Sequence, residues 1–313
     1  MKEEGRKGSR SNGGRRVRVR TQYGMKGRSM RTDWSGLGRV APKALVNART
    51  LAHHAAQWVT KAARANLAAV PDDSHASLEW DAGRGALLSQ PLAAKAGEIQ
   101  IGLGIADLRL IVVCGSAAQT FALDGTSDTE AGAWVDAALR AAGLTPASAV
   151  KLPYEMPGHA VAGGAPYGAG AETASLQELA RWFGAAAELL GEVSWRLRDL
   201  RPGPTPVCCW PHHFDIATLV QLEAGHAESA RSIGIGLSPG DESYAQPYWY
   251  VSPWPRPDAA TLPQAPPPGH WQTQGFTALV ATGEDIVRLK DRRRDTSAFI
   301  TEAIEMSRAL LGS

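Results

Sequence analysis

The chain has 313 residues, 44% of them hydrophobic and 20% charged, proportions that exclude a wholly disordered or collagen-like polypeptide and allow one large domain or two ordinary ones. No stretch approaches the roughly 20 unbroken apolar residues of a membrane-spanning helix, so a soluble chain is expected. The formal net charge of +2 hides a split: residues 1–40 hold twelve Lys/Arg against three Asp/Glu, whereas the remainder holds 21 against 28.

Residues 1–44 are predicted to form a disordered basic arm. The run 6–31 is rich in Gly, Ser and Arg and has no apolar period, so it cannot offset the entropy of ordering. Such an arm either stays solvated or grips phosphate backbones. Its arginines are scarcely interleaved with aromatics, so nucleic acid is not an expected partner except through this arm. An Arg-rich, acid-poor leader also has the composition of an organelle transit peptide, and Met25 and Met30 are alternative translation starts. Three cysteines, Cys114, Cys208 and Cys209, cannot build a disulfide framework and fit a reducing, cytoplasmic setting.

A first unit is expected over 45–156. Residues 50–68 read as an amphipathic helix with Leu51, Ala55, Trp58, Val59 and Ala62 on one side, stopped by Pro71. Short extended runs at 77–81 and 85–92 precede a clean alternation over 98–105, where Ile99, Ile101, Leu103 and Ile105 share one face. Runs at 108–113 and 119–123 continue an antiparallel meander, and a helix over 129–142, ended by Gly143, closes the unit. A Gly/Pro-rich connector follows at 157–172.

The second unit, 173–313, opens with the longest helix, 173–198. Its Leu176, Leu179, Phe183, Ala186, Leu190, Val193 and Leu197 recur at three- and four-residue steps, the pattern of a buried seam. Strands are predicted at 207–222, 231–237 and 247–254; a proline-heavy loop at 253–269 leads into 271–280, then helices near 284–290 and 296–311 with the charged run 290–295 as a solvated junction. Runs of strands bounded by helices predict the α+β class. The expected architecture is two antiparallel-meander units with packing helices, packed as one body, whose shared element order points to a pseudo-duplication.

Standard catalytic signatures are missing: the sequence has no G-x-S-x-G, no GxxxxGK[ST] and no H-E-x-x-H. Three clusters remain. The first is 210–215, Trp-Pro-His-His-Phe-Asp; in an extended run His213 and Asp215 share a face, and an imidazole beside a carboxylate can act as general base with its orienting acid, or ligate a metal. A third ligand would come from His75, Asp241 or His270, and the competing reading is one structural and one solvated histidine. The second is the stripe His53, Gln57 and Lys61 at i, i+4 and i+8, opposite Leu51 and Trp58, where a solvated helix face is the ordinary expectation. The third is aromatic: Tyr244, Tyr248, Trp249, Tyr250, Trp254 and Trp271 can wall a ligand pocket or pack a core.

The run 206–220, with the helix at 50–68, the loop 71–80 and the later Leu-Pro-Tyr-Glu-Met-Pro at 152–157, resembles an uncharacterised bacterial family defined by a domain of unknown function, DUF5996. The resemblance spans roughly 45–255 and rests on motif order. It falls on His53, Gln57, Lys61, His75 and Asp215, departs at His212 and His213, and implies no activity, because the family carries none.

The functional expectation is a cleft in which His53, Gln57, Lys61, His75 and Asp215 converge on a small polar or anionic molecule. Tyr248, Trp249 and Trp254 would form its wall, and His75, His213 and Asp215 would exchange protons. Two alternatives stand beside it: an interaction module using the aromatic, proline-rich surface 244–271, and a metal-dependent hydrolase built on His212, His213 and Asp215. No particular cofactor is assigned, and no membrane partner is expected.

Overall fold

The computed structural model describes residues 32–225 and 230–312. The expected basic arm therefore lies, over 1–31, outside the described residues. Its last part does not behave as an arm. Short 3-10 turns at Trp34–Gly36 and Pro42–Leu45 bury Trp34, Leu37 and Leu45 in the main core, and the Trp34 indole stacks on Trp249 at 6.4 Å. The Thr32 amide donates to Glu188, 2.9 Å away, and the Gly38 amide to Glu178. These apolar residues, thinly spaced among glycines, offset the ordering cost that composition alone assigned to the segment.

Helix α1 (Val46–Asn66) starts four residues before the predicted helix and is buried almost all round. Alanines at 48, 52, 55, 56, 62 and 63, each fully buried, keep its surface low enough for neighbours on several sides. Six strands follow: β1 (Glu79–Asp81), β2 (Ala86–Leu88), β3 (Leu92–Ala94), β4 (Gly97–Gly104), β5 (Arg109–Cys114) and β6 (Ala117–Ala122). They form an antiparallel sheet of order β1-β2-β4-β5-β6, with β3 also on β4. Ile99, Ile101, Leu103 and Ile105 enter the core from one face, as their alternation requires. Helix α2 (Asp128–Ala141), capped by a Ser127–Glu130 box and ended before Gly143 at φ +75°, packs beside α1 through Gly132, which lies under the Trp58 ring.

Helix α3 (Thr173–Arg196) carries the expected seam: Leu176, Leu179, Phe183, Ala186, Leu190 and Val193 are all buried. The second sheet comprises β7 (Gly203–Pro204), β8 (Cys208–Trp210), β9 (Asp215–Gln221), β10 (Ser232–Ser238), β11 (Tyr248–Trp254), β12 (His270–Gln272) and β13 (Ala278–Thr282), in the order β12-β13-β11-β10-β9-β7 with β8 on β9. Helices α4 (Gly283–Arg288) and α5 (Arg292–Leu310) complete an α+β fold. The run 290–295 is more than a junction: α5 already begins at Arg292, whose guanidinium donates to the carbonyls of Ser35, Leu37 and Val287 and so ties the N-terminal turns to the C-terminal helix.

The two sheets meet through backbone. Leu78 and Cys209, both fully buried, exchange N–H···O=C bonds of 2.9 and 2.7 Å. A single hydrophobic core runs through both halves. On the second sheet Ile216, Ile233, Ile235, Leu237, Trp249 and Val251 face that core under α3 and α5, while Asp215, Ser238, Tyr248 and Tyr250 alternate onto the other face. Among the described residues no helix is long and apolar enough to cross a membrane. Because Trp34 belongs to the core, Trp34→Ala is expected to cost about 3–5 kcal/mol; an unchanged urea midpoint would contradict the packing of the 32–45 segment.

Candidate functional site

The segment predicted to be extended from Trp210 to Asp215 is a tight hairpin. Strands β8 and β9 pair with Trp210 opposite Asp215, and residues 211–214 form the turn between them. Proline at 211 and a left-handed Phe214 (φ +60°) reverse the chain, which is why the expected alternation fails here. Phe214 is buried against Phe183 and stacks face to face on His53, centroids 5.1 Å apart and planes within 7°. An apolar anchor at the end of the turn sustains a backbone conformation that costs a non-glycine residue about 1–2 kcal/mol.

Helix α1 holds the turn by its carbonyl. His53 Nε2 lies 2.8 Å and Gln57 Nε2 2.9 Å from the Pro211 oxygen. A carbonyl accepts only, so His53 carries its proton on Nε2 and leaves Nδ1 with the lone pair. Burial, set against this hydrogen bond, pushes the His53 pKa down to about 4. Gln57 Oε1 accepts from the Tyr154 hydroxyl at 2.7 Å. The stripe expected to be solvated is thus enclosed at His53 and Gln57, with 8% and 4% of their surface exposed. Lys61, the third member, does not join them; its ammonium lies 4.3 Å above the Trp58 ring on the side of α2.

His212 and His213 sit exposed at the tip, rings 4.2 Å apart. They face different neighbours. His212 packs on Tyr154 and Trp210 and feels the Arg64–Asp73 ion pair; desolvation and then the neighbouring His213 push its pKa down to about 4. His75 belongs to this same side: it is buried, accepts from the Val70 amide at 3.4 Å and lies near Asp73. The loop after α1 thus places His75 beside Asp73. His213 acts electrostatically on both His53 and Asp215, but it lies in the turn rather than on the strand, so the shared strand face expected for His213 and Asp215 does not form.

Asp215 is the centre of the other side. Its residue is 8% exposed, one carboxylate oxygen accepts a short hydrogen bond from the Tyr250 hydroxyl, and the other, Oδ1, is enclosed without a hydrogen-bond partner among the described residues. Tyr250 reaches it across β10 because position 236 is glycine; a Cβ there would come within 2.5 Å of the Tyr250 oxygen and 2.9 Å of Ala217. Burial raises the Asp215 pKa against the opposing pull of Tyr250 and His213, and the Tyr250 hydroxyl is itself held well above its usual range by burial and by Asp215. Two residues along the same face, Tyr248 donates to Asp241 Oδ2 at 2.5 Å. Arg49, one turn before His53 on α1, acts on Asp241, Tyr248 and His53.

The aromatic wall predicted from Tyr248, Trp249 and Trp254 does not form as a unit. Tyr248 joins the site through its hydroxyl, Trp249 lies on the opposite face in the main core, and Trp254, 38% exposed, ends the strand. Tyr244 turns its hydroxyl to His270 and Gln272, 2.9 Å from each, so much of the 244–271 surface is satisfied internally. Cys208 shares the Asp215 face but is buried, its thiol pushed up to about 11 by desolvation. Among the described residues no group of three or more His, Cys, Asp or Glu is arranged to hold a metal ion, so His212, His213 and Asp215 do not come together as the ligand set of the hydrolase alternative.

Sequence reasoning missed Arg49 and Tyr154 as site residues, and reached Asp241 only as a metal ligand and Tyr250 only as a member of the aromatic cluster. Arg49 was within reach: it extends the His53–Gln57 stripe one turn backward, and only the late helix start removed it. No protein-family model matches the chain, and none of the curated proteins or solved structures compared with it matches either.

The titrations carry a signed prediction. His53 has a folded pKa below its unfolded value, so the unfolded state binds more protons between about pH 6.5 and 4 and stability falls as pH drops through that window, by roughly 3 kcal/mol in full. Asp215, raised in the fold, acts oppositely and costs stability as pH rises. His53→Gln is expected to flatten the acid limb of a melting-temperature profile; a mutant profile parallel to that of the unmodified chain would refute the assignment.

Proposed function

We propose that the protein binds a small polar molecule in the hollow bounded by α1, the 210–215 hairpin and the loop after β10, and that Asp215 and His213 exchange a proton with it. The observation that carries this reading is the Asp215 carboxyl. A buried acid with one oxygen fixed by Tyr250 and the other unpartnered costs folding free energy, and costly polar groups of this kind gather where ligands are bound or transformed. The lifted pKa leaves a proton available for exchange nearer neutral pH. His213, exposed at the rim, offers an imidazole to the same space.

Support also comes from the positions at which the chain resembles the DUF5996 family. Of those, His53, Gln57 and Asp215 surround or fix the hairpin, and membership of that family is part of the proposal. Neither resemblance nor geometry assigns a reaction, so ligand binding is the primary claim and proton exchange its chemical extension.

Asp215→Asn keeps the shape and abolishes the titration. It is expected to melt no lower than the unmodified chain at pH 8, where the native carboxyl is most costly, while losing ligand response. In a thermal-shift screen of small polar compounds, a true ligand at a hundredfold excess over its Kd adds about 2.7 kcal/mol, or roughly 5 °C. The intact chain should show such a shift and the Asp215→Asn chain should not; stabilisation of both alike would remove Asp215 from the site.

A further inference from the structure

Beside the proposed hollow, two enclosed side-chain atoms, Asp215 Oδ1 and Arg49 Nη1, have no hydrogen-bond partner among the described residues. A guanidinium stays charged at any physiological pH, and its enclosed N–H groups cost free energy until something accepts from them. The nearby carboxylate of Asp241 is already engaged. Its Oδ1 takes the amides of Ser243 and Tyr244 at 2.8 and 3.1 Å, and its Oδ2 takes the Tyr248 hydroxyl. The backbone beside Arg49 is cut back to admit the guanidinium: Gly240 has φ +114°, and any Cβ there would collide with Nη1.

Strand β11 sets the two centres in step. Tyr248 meets Asp241 beside Arg49, and Tyr250, two residues on and on the same face, meets Asp215; two strand residues advance about 7 Å. We propose that Arg49 anchors the carboxylate of a short hydroxycarboxylic acid in this hollow, with Asp215 meeting its hydroxyl group. This rests on reading the Asp215 hollow as a ligand site and adds the class of ligand. The guanidinium fork matches a carboxylate in plane and charge. A hydroxyl suits Asp215 better than an ammonium does, because burial favours the uncharged acid, which can donate to or accept from it.

Isothermal titration of the full chain at pH 7 with 3-hydroxypropionate, propionate and 1,3-propanediol tests it. The hydroxy acid is expected to bind, propionate about tenfold more weakly, and the diol not at all. Arg49→Met, which keeps the side-chain bulk, should weaken the hydroxy acid by at least tenfold, whereas Asp215→Asn should erase its advantage over propionate. Circular dichroism checks folding; if Arg49→Met is unfolded, Arg49→Lys and Gly240→Ala, which respectively replace and displace the fork, should each weaken the hydroxy acid. Absence of binding by 3-hydroxypropionate, or binding untouched by every Arg49 and Gly240 variant, overturns the inference. Binding of the diol that depends on Asp215 but not on Arg49 would overturn the carboxylate anchor while leaving the ligand hollow standing. Loss of Asp215 dependence for every compound would remove both.

Discussion

The Pro211 carbonyl is where the two halves of the chain are registered against each other at the candidate site. It accepts from His53 and Gln57, residues one turn apart on α1, and sits in a hairpin whose far end is pinned by Phe214. One oxygen thereby orders an imidazole, an amide and the turn that presents His212, His213 and Asp215. Had the carbonyl been left to water, the hairpin tip would be an exposed four-residue turn with ordinary mobility. Clamped from α1, it instead delivers a carboxylate to a fixed point under Tyr250.

Around that clamp the electrostatics divide by burial. Groups of opposite charge type are both shifted toward their neutral forms, the His53 pKa downward and the Asp215 pKa upward, because desolvation outweighs the hydrogen bonds that oppose it. Arg49 cannot follow, since a guanidinium does not neutralise in proteins. Charge beside His53 and Asp215 is consequently suppressed, while Arg49 keeps its own. Tyrosines at 248 and 250 divide the work, one hydroxyl for each carboxylate.

Regular elements were legible because their periodicities are strong. The alternation of Ile99 to Ile105 and the seam from Leu176 to Val193 each match a single geometry. The hairpin was not, because Trp210 to Asp215 fits an extended pattern as well as a turn, and only the long-range contacts of Phe214 decide between them. His53, Gln57 and Asp215 were recognisable as polar residues in unusual company, yet the stripe logic carried Lys61 along with them, since a helical wheel does not say where a neighbouring helix ends. Trp34 and Leu37 were lost to compositional averaging over a basic segment. The aromatic cluster splits as strand parity requires: Trp249 alternates away from Tyr248 and Tyr250 and packs in the core on the opposite side of the sheet, so only the pocket-wall reading of Trp249 fails.

The Leu78–Cys209 backbone pair has a bearing on how the molecule comes apart. Its two hydrogen bonds stitch one sheet to the other deep in the interior, between residues 131 positions apart in sequence. Opening either sheet strands those amides away from water, so the connector at 157–172 is not a seam along which autonomous pieces separate. Unfolding should involve both halves as one cooperative unit, with the slowest-exchanging amides clustered at that stitch and the helix beside it. A long-range closure of this kind also raises contact order, which places the assembly of the candidate site late in folding, after each sheet has found its own register.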